Sequence, residues 1–128
     1  MARKGDWGGE IIKSKVYMGD DEIVRVTSIG DQTPEEAIEV RKAVLELGKR
    51  VPGKIKILND LSQMGKSLPG SRAETVKSIK LEEVGKVASF GATTANRIVA
   101  NFIVKACGMG KKVKYFKTEA EALKWLKE

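Results

Sequence analysis

The sequence contains no histidine and only one cysteine, Cys107. Without histidine, the chain can form neither a serine–histidine triad nor a histidine metal site. A lone cysteine excludes an internal disulfide and a cysteine-rich zinc site within this chain. It fits a reducing compartment, so we expect a cytoplasmic protein. The sequence predicts no metal site and no cofactor.

Aromatic residues and long apolar runs are also scarce. Aromatics make up 5% of the chain, too few to indicate a platform on which single-stranded bases stack. The longest apolar run, around residues 98–106, is broken by Asn101 and Lys105 and is too short to span a bilayer. The first nine residues lack the apolar segment of a secretory signal. We therefore interpret residues 1–10 as a flexible tail and residues 11–128 as one domain that is not integral to a membrane.

Positive charge, by contrast, is abundant. The chain has 24 lysines and arginines against 17 acidic residues, which gives a net charge of +7. Basic residues concentrate at 41–56 and 111–117, and such patches can bind nucleic acid or anionic lipid. Here they alternate with apolar residues at strand or helix spacing, which is typical of a solvated surface. Nucleic acid is therefore not an expected partner.

Hydrophobic periodicity predicts an α/β domain. A turn at residues 18–21 separates two strand-like segments, and strands then alternate with helical patterns. This alternation predicts a mixed sheet, with an antiparallel N-terminal hairpin and largely parallel strands after it, and about four helices packed on it. The predicted strands are 11–17, 22–29, 54–61, 86–91 and 112–116.

Three of the predicted helices begin with a Ser/Thr-x-x-Glu capping box, at Thr33, Ser71 and Thr118. The remaining helix begins near Ala92 and ends at Gly108 and Gly110. It is the most apolar helix, and we expect its apolar face to lie in the core; the alternative is a helix that faces both the core and a lipid or partner pocket. That face comprises Ile98, Val99, Phe102, Ile103 and Ala106.

Two segments follow the carboxyl ends of predicted strands, where ligands bind in open α/β sheets. The first, residues 60–71, is rich in Gly and Ser and is expected to be an exposed loop. Its Met64 and Leu68 form either a binding lip or a lid over the core. The second, residues 91–97, opens a helix whose N-terminus attracts anions. The candidates for binding an anion or another ligand are Lys66, Gly91, Thr93, Thr94 and Arg97.

Ordinary loop chemistry is the competing interpretation of these residues. Ser71 and one of the two threonines can act as helix caps, Gly91 permits a turn, and Asp60 can accept backbone hydrogen bonds in its own loop. No serine stands in a nucleophile elbow, and Cys107 sits in an apolar helix where it packs as a small hydrophobe. The sequence therefore predicts no catalytic residue.

The pattern as a whole resembles a known family. Asp60, Leu61 and Ser62 end a strand before a polar segment and a helix, which resembles the STAS domain of bacterial anti-sigma-factor antagonists and sulfate-transporter tails. Residues 87–91, 98–103 and 112–126 are similar to the SpoIIAA-like (STAS/CRAL-TRIO-like) group of small bacterial and archaeal proteins. The resemblance covers about residues 11–128 and is strongest in the last segment.

This resemblance implies a non-catalytic regulatory module that acts through a protein partner or self-association. In the antagonists, a kinase phosphorylates a serine in the stretch that matches Ser67 to Ser71 here, and Ser67 is closer by position. Asp60 and Ser62 belong to the same docking or modification surface. The CRAL-TRIO kinship implies a lipidic ligand, although the chain looks too short to enclose a large apolar cavity. The alternative function is binding of a small anion or an acyl lipid by the segments at the carboxyl ends of the strands.

Overall fold

The computed structural model describes residues 6–7, 13–108 and 111–128, apart from the side chains of residues 6, 7 and 107. The rest of the predicted tail, the start of the first predicted strand, Gly110 and the packing predicted for Cys107 lie outside the described residues. The strands are β1 (Asp6–Trp7), β2 (Lys15–Met18), β3 (Val24–Gln32), β4 (Ile55–Ser67), β5 (Val84–Phe90) and β6 (Val113–Phe116). The helices are α1 (Pro34–Gly48), α2 (Pro69–Ile79), α3 (Thr94–Cys107) and α4 (Glu119–Lys127).

The described strands form one six-stranded sheet in sequential order, from β1 to β6. The pairs β1–β2 and β2–β3 are antiparallel. The pairs β3–β4, β4–β5 and β5–β6 are parallel. Parallel neighbours need a crossover, and α1, α2 and α3 each supply one. The predicted mixed sheet with four helices is thus confirmed.

The sheet carries α1, α2 and α3 on one face and α4 on the other. The first three helices share one apolar cluster, in which α1 contributes Ala43, Val44 and Leu47 and α2 contributes Ile79. The strands contribute the rest of its buried side chains: Val16, Val24, Val26, Ile55, Ile57, Val84, Val87 and Val113. The opposite face has a smaller cluster made by Ile23, Leu58, Ala88, Ala122 and Leu126. Each cluster takes alternate residues of the central strands, as a two-sided sheet requires.

Local capping signals position three of the helices. Thr33 accepts a 3.1 Å hydrogen bond from the Glu36 backbone, and Thr118 accepts one of 3.2 Å from Glu121. Both bonds occur where the capping boxes predict them. α3 ends at Gly108, whose φ of +62° is the left-handed conformation that favours glycine at a helix end.

The cap predicted at Ser71 is wrong. α2 begins two residues earlier, at Pro69, and its capping residue Leu68 makes no side-chain hydrogen bond to the helix. Proline fits the first helical position because it has no N–H to leave unbonded. Ser71 is consequently inside the helix and 3% exposed.

The prediction that the apolar face of α3 lies in the core is wrong for its outer residues. Ile98 is 66% exposed and Phe102 is 59% exposed, and Ala106 is exposed as well. Val99 and Ile103 are half-buried and face the sheet side. The apolar stripe of α3 is wider than the face that packs, so its outer edge reaches solvent.

The exposed loop predicted at residues 60–71 is also wrong. β4 continues to Ser67, and its second half pairs with β3 at Ile29–Gln63, Gly30–Met64 and Gln32–Ser67. Only Leu68 separates this strand from α2. Both strands run on together through two irregular steps in register, so backbone pairing holds a segment whose Gly and Ser content is typical of loops.

Candidate functional site

A cavity of about 160 Å³ lies between the sheet and the layer formed by α1, α2 and α3. Its roof is mostly aliphatic over α1 and α3, where it includes Val40, Val44, Val99 and Ile103, and it carries hydroxyl groups where α2 contributes Ser71, Thr75 and Ser78. An engineered cavity of about 150 Å³ with entirely apolar walls holds a benzene molecule. The cavity is therefore large enough for a small apolar group but not for a long acyl chain.

The floor of the cavity changes from apolar to polar along the strands. Strand register places Ile57, Val87 and Val113 side by side on β4, β5 and β6. Two residues further along the same face, the register aligns Asn59, Ser89 and Tyr115. We call these last three residues the polar row. Because side chains alternate between faces, both sets point toward the helices, and all six residues line the cavity.

Two polar groups at this end of the cavity are hydrogen-bonded within the fold. The Asn96 amide of α3 donates to the carbonyl of Met64 at 3.1 Å and to that of Gly65 at 3.0 Å. The Tyr115 hydroxyl accepts a 2.9 Å bond from the backbone N–H of Ala92. These bonds connect the start of α3 to the ends of β4 and β6.

Other polar side chains that line the cavity have unused hydrogen-bonding capacity. Within the described residues, the side chains of Ser28, Asn59 and Ser89 make no hydrogen bond. Ser28, on β3, is only 8% exposed. Asn59 and Ser89 are half-buried, and the polar atoms of all three side chains are accessible rather than sealed in the core, since Arg72 Nε is the one fully buried unpaired side-chain atom in the described residues. The cavity therefore presents groups suited to binding a polar atom.

The two cations on the cavity wall are occupied elsewhere. Arg41 lies 3.1 Å from the Glu74 carboxylate and also donates to the Ser78 hydroxyl. Hydrogen bonds from Lys77, and then from Arg41, lower the pKa of Glu74 below its ordinary value. The Lys114 ammonium lies 5.4 Å from the ring centroid of Trp125, on α4. Neither cation is free to meet an anion inside the cavity.

The second predicted segment, at the start of α3, has structural contacts for most of its candidate residues. Thr93 caps the helix by accepting from the Asn96 backbone at 3.3 Å, and Thr94 is exposed. Arg97 is exposed, with its guanidinium 5.3 Å from the Tyr115 ring centroid. Gly91 has a φ of +83°, and a side chain there would crowd Asp60 and Ser62.

Lys66, the remaining candidate ligand-binding residue, is exposed, and its backbone N–H donates to Asp31 at 2.8 Å. The hydrogen bonds from Asn96 to Met64 and Gly65 bring the end of β4 and the start of α3 together. Binding of an anion there stays a prediction.

The candidate docking serines differ in accessibility. Ser71 lines the cavity and is buried, out of reach of a kinase in this conformation. Ser67 is half-buried, and its carbonyl accepts from Arg72 at 3.1 Å. Asp60 accepts from the Ser62 backbone at 2.9 Å, the local bond expected for a turn-type aspartate. Phosphorylation of Ser67 stays a prediction.

The two residues of the predicted lip, Met64 and Leu68, also differ in exposure. Met64 is half-buried and lines the cavity, whereas Leu68 is 40% exposed. Met64 thus closes the apolar interior, and Leu68 stands on the surface.

The polar row was not predicted from the sequence, because the predicted site residues all came from the two segments that follow the strands. A signal for it exists: Asn59 follows Ile55 and Ile57 at alternate positions of β4, and Ser89 follows Val87 in β5. A polar residue on the inward face of a buried parallel strand marks a place where the interior is not fully apolar.

In the described part of the chain, no helix is both long and apolar enough to cross a membrane. In that same part, no group of three or more Cys, Asp or Glu side chains is arranged to hold a metal ion.

Comparison with known proteins identifies the family. No curated protein matches the sequence. A solved structure from Shewanella loihica PV-4, described as an uncharacterized protein from the DUF3478 family with a SpoIIAA-like fold, superposes with a TM-score of 0.61. The match covers 88% of this chain and 91% of the other at 16% identity, so it establishes the fold alone. The family model described as SpoIIAA-like matches residues 23–127, and the chain belongs to the SpoIIAA-like family.

Proposed function

We propose that the protein is a non-catalytic cytoplasmic binding protein that takes a small apolar molecule into the cavity between the sheet and α1–α3. The cavity of about 160 Å³ is the observation that carries the proposal. Its walls are mostly aliphatic, which suits an apolar ligand, and the lack of histidine leaves few groups for acid–base chemistry. The single cysteine supports the cytoplasmic placement.

The affinity expected from such a cavity is modest. Burial of a CH₂ group contributes about 0.8 kcal/mol, so a six-carbon ligand gains about 5 kcal/mol. A Kd of 1 mM corresponds to about 4 kcal/mol. Toluene and other probes of its size are therefore expected to bind with a Kd of about 0.1–1 mM.

A cavity-filling variant tests the proposal. Ala100 of α3 lines the cavity, so Ala100→Leu fills it, whereas Ala95→Leu makes the same change at an exposed position of the same helix. In toluene titrations followed by two-dimensional NMR, the wild type and Ala95→Leu are expected to bind and Ala100→Leu is not. Ala37→Leu, at another lining position, replaces Ala100→Leu if that variant does not fold. Absence of toluene binding by the wild type, or equal binding by the filled variant, overturns the proposal.

The exposed face of α3 favours a second candidate function, the protein-interaction role implied by the family resemblance. Ile98 and Phe102 are large apolar residues on the solvent side, flanked along the helix by Arg97 and Lys105. Exposed apolar residues that cluster mark contact surfaces more often than scattered ones do. We propose that the chain self-associates through this face.

Sedimentation analysis tests self-association. Each copy carries a net charge of +7, so added salt is expected to screen the repulsion and strengthen the association. The double variant Ile98→Ser/Phe102→Ser is expected to weaken it at least tenfold. Thr94→Ser, a conservative change at an exposed position of the same helix, serves as the control. A wild type that stays monomeric at about 1 mM excludes this candidate.

A further inference from the structure

We infer that the cavity selects an uncharged amphipathic ligand, with its hydrogen-bonding group against the polar row and its apolar part over Ile57 and Val87. The inference rests on the proposed ligand binding and adds the chemical class and the orientation of the ligand. It differs from the anion-binding expectation for the same end of the sheet. Three observations support it.

The first observation is the polarity gradient of the floor. Strand register aligns Asn59 with Ser89 and Ser89 with Tyr115, one level above Ile57, Val87 and Val113. A ligand lying along the strands therefore meets aliphatic side chains at one end and amide and hydroxyl groups at the other. An entirely apolar ligand leaves the polar end unmatched, and an amphipathic one matches both ends in only one orientation.

The second observation is the unused hydrogen-bonding capacity. The side chains of Asn59, Ser89 and Ser28 line the cavity and make no hydrogen bond to any described residue. An asparagine amide and a serine hydroxyl can each donate and accept. Together they can bind a hydroxyl, carbonyl or amide group of a ligand.

The third observation concerns charge. The guanidinium of Arg41 is paired with Glu74, and the ammonium of Lys114 lies over Trp125 on the other side of the sheet. Arg41 and Lys114 are the cations among the described residues that line the cavity, so neither is available to a carboxylate or phosphate buried there. Burying an unpaired charge costs far more than burying a neutral polar group, so the cavity disfavours anions.

Three probes of similar size separate these properties: toluene, benzyl alcohol and benzoate at pH 7. We expect benzyl alcohol to bind about threefold to tenfold more tightly than toluene, the factor that one net hydrogen bond supplies. Benzoate is expected to bind at least tenfold more weakly than benzyl alcohol. Kd values come from two-dimensional NMR titrations of the full chain.

Variants of the polar row locate the effect. Ser89→Ala and Asn59→Leu are expected to abolish the advantage of benzyl alcohol over toluene while toluene still binds. Ser62→Ala and Asn101→Leu make the same changes at exposed positions and are expected to retain the advantage. Because Ser89→Ala removes only one oxygen, it keeps the test decisive if Asn59→Leu does not fold.

The outcomes distinguish this inference from the proposal beneath it. If toluene does not bind the wild type, ligand binding in the cavity fails, and the inference fails with it. If toluene binds but benzyl alcohol has no advantage, or if the row variants retain that advantage, only the inference is overturned. If benzoate binds as tightly as benzyl alcohol, the inference is also overturned, and an anion site at the strand ends is favoured instead.

Discussion

The carboxylate of Glu36 accepts a 2.7 Å hydrogen bond from the hydroxyl of Ser14, which lies just before β2. It also accepts from the backbone N–H groups of Ser14 and Lys13, at 3.1 and 3.2 Å. The Ser14 hydroxyl in turn accepts from Ile29 of β3. In a complete capping box the Glu36 side chain would accept a hydrogen bond from the backbone N–H of Thr33. Here the Glu36 side chain instead attaches the N-terminal hairpin to α1.

Substitution of Glu36 is expected to destabilise the fold. Glu36 is 2% exposed, and Glu36→Gln exchanges one accepting oxygen for an NH₂ group, which leaves a buried donor unmatched. We expect the free energy of unfolding in urea to fall by about 1–3 kcal/mol. Glu35→Gln removes a charge from the same turn at an exposed position and is expected to cost less than about 1 kcal/mol. Equal losses in the two variants would contradict this role.

Features specified by neighbouring residues could be predicted from the sequence. The caps at Thr33 and Thr118 and the end of α3 at Gly108 depend on side chains within four residues. The order of strands and helices could be predicted from the hydrophobic periodicity of the sequence. Ser71 was misassigned because its capping-box spacing competes with Pro69, which fits the first helical position better.

Features that depend on distant pairing could not be predicted. Residues 62–67 resemble a loop in isolation and become strand because β3 runs beside them. The cavity exists because three helices meet the sheet at a spacing that no single segment encodes. The exposure of Ile98 and Phe102 likewise depends on how α3 is rotated against β4 and β6, not on the apolar pattern itself.

Asn96 is expected to hold α3 on the sheet. Its amide donates to the carbonyls of Met64 and Gly65, and Asn96→Ala leaves both carbonyls without this partner. We expect a loss of about 1–3 kcal/mol in the free energy of unfolding, measured by urea denaturation. Asn101→Ala, at an exposed position of the same helix, is expected to change it by less than about 0.5 kcal/mol. If Asn101→Ala lowers the free energy of unfolding as much as Asn96→Ala does, the two hydrogen bonds of the Asn96 amide do not account for the loss.

The ion pair between Asp21 and Arg25 predicts a pH dependence of stability. The hydrogen bond from Arg25 lowers the pKa of Asp21 from 3.8 to about 2. The folded state therefore favours the ionised carboxylate, and this stabilisation is complete above about pH 5 and is lost as the pH falls from 4 to 2. Because the pair is on the surface, its contribution is about 1 kcal/mol or less.

Asp21→Asn isolates this contribution. The wild type is expected to exceed the variant in unfolding free energy at pH 6, and the difference is expected to shrink toward zero by pH 2, in urea titrations at each pH. Asp20→Asn changes the exposed neighbour and is expected to show no such convergence. A difference between wild type and Asp21→Asn that is constant over this range would exclude the ion pair as its source.

Gly65 is expected to be required for the extended pairing of β4 with β3. A side chain at this position would overlap the carboxylate oxygen of Asp31 and lie 3.1 Å from both the backbone nitrogen of Asp31 and the carbonyl carbon of Gly30. Gly65→Ala must therefore displace the Asp31 carboxylate, which accepts the hydrogen bond from the Lys66 backbone, and move the backbones of β3 and β4 slightly apart. We expect a loss of about 1–3 kcal/mol in unfolding free energy.

The sign of the Gly65→Ala effect is itself diagnostic. Where the backbone is uncrowded and glycine is not conformationally required, replacing it with alanine stabilises a protein by about 0.4–1 kcal/mol, because the unfolded chain loses freedom. A stabilised Gly65→Ala variant in urea denaturation would therefore mean that β4 does not approach β3 closely at this point. Gln63→Ala, at an exposed position of the same strand, shows what truncating a side chain costs without crowding. If Gly65→Ala lowers the free energy of unfolding much more than Gln63→Ala does, the extra loss comes from the close contact between the strands. That contact then explains why a sequence typical of loops forms a strand here.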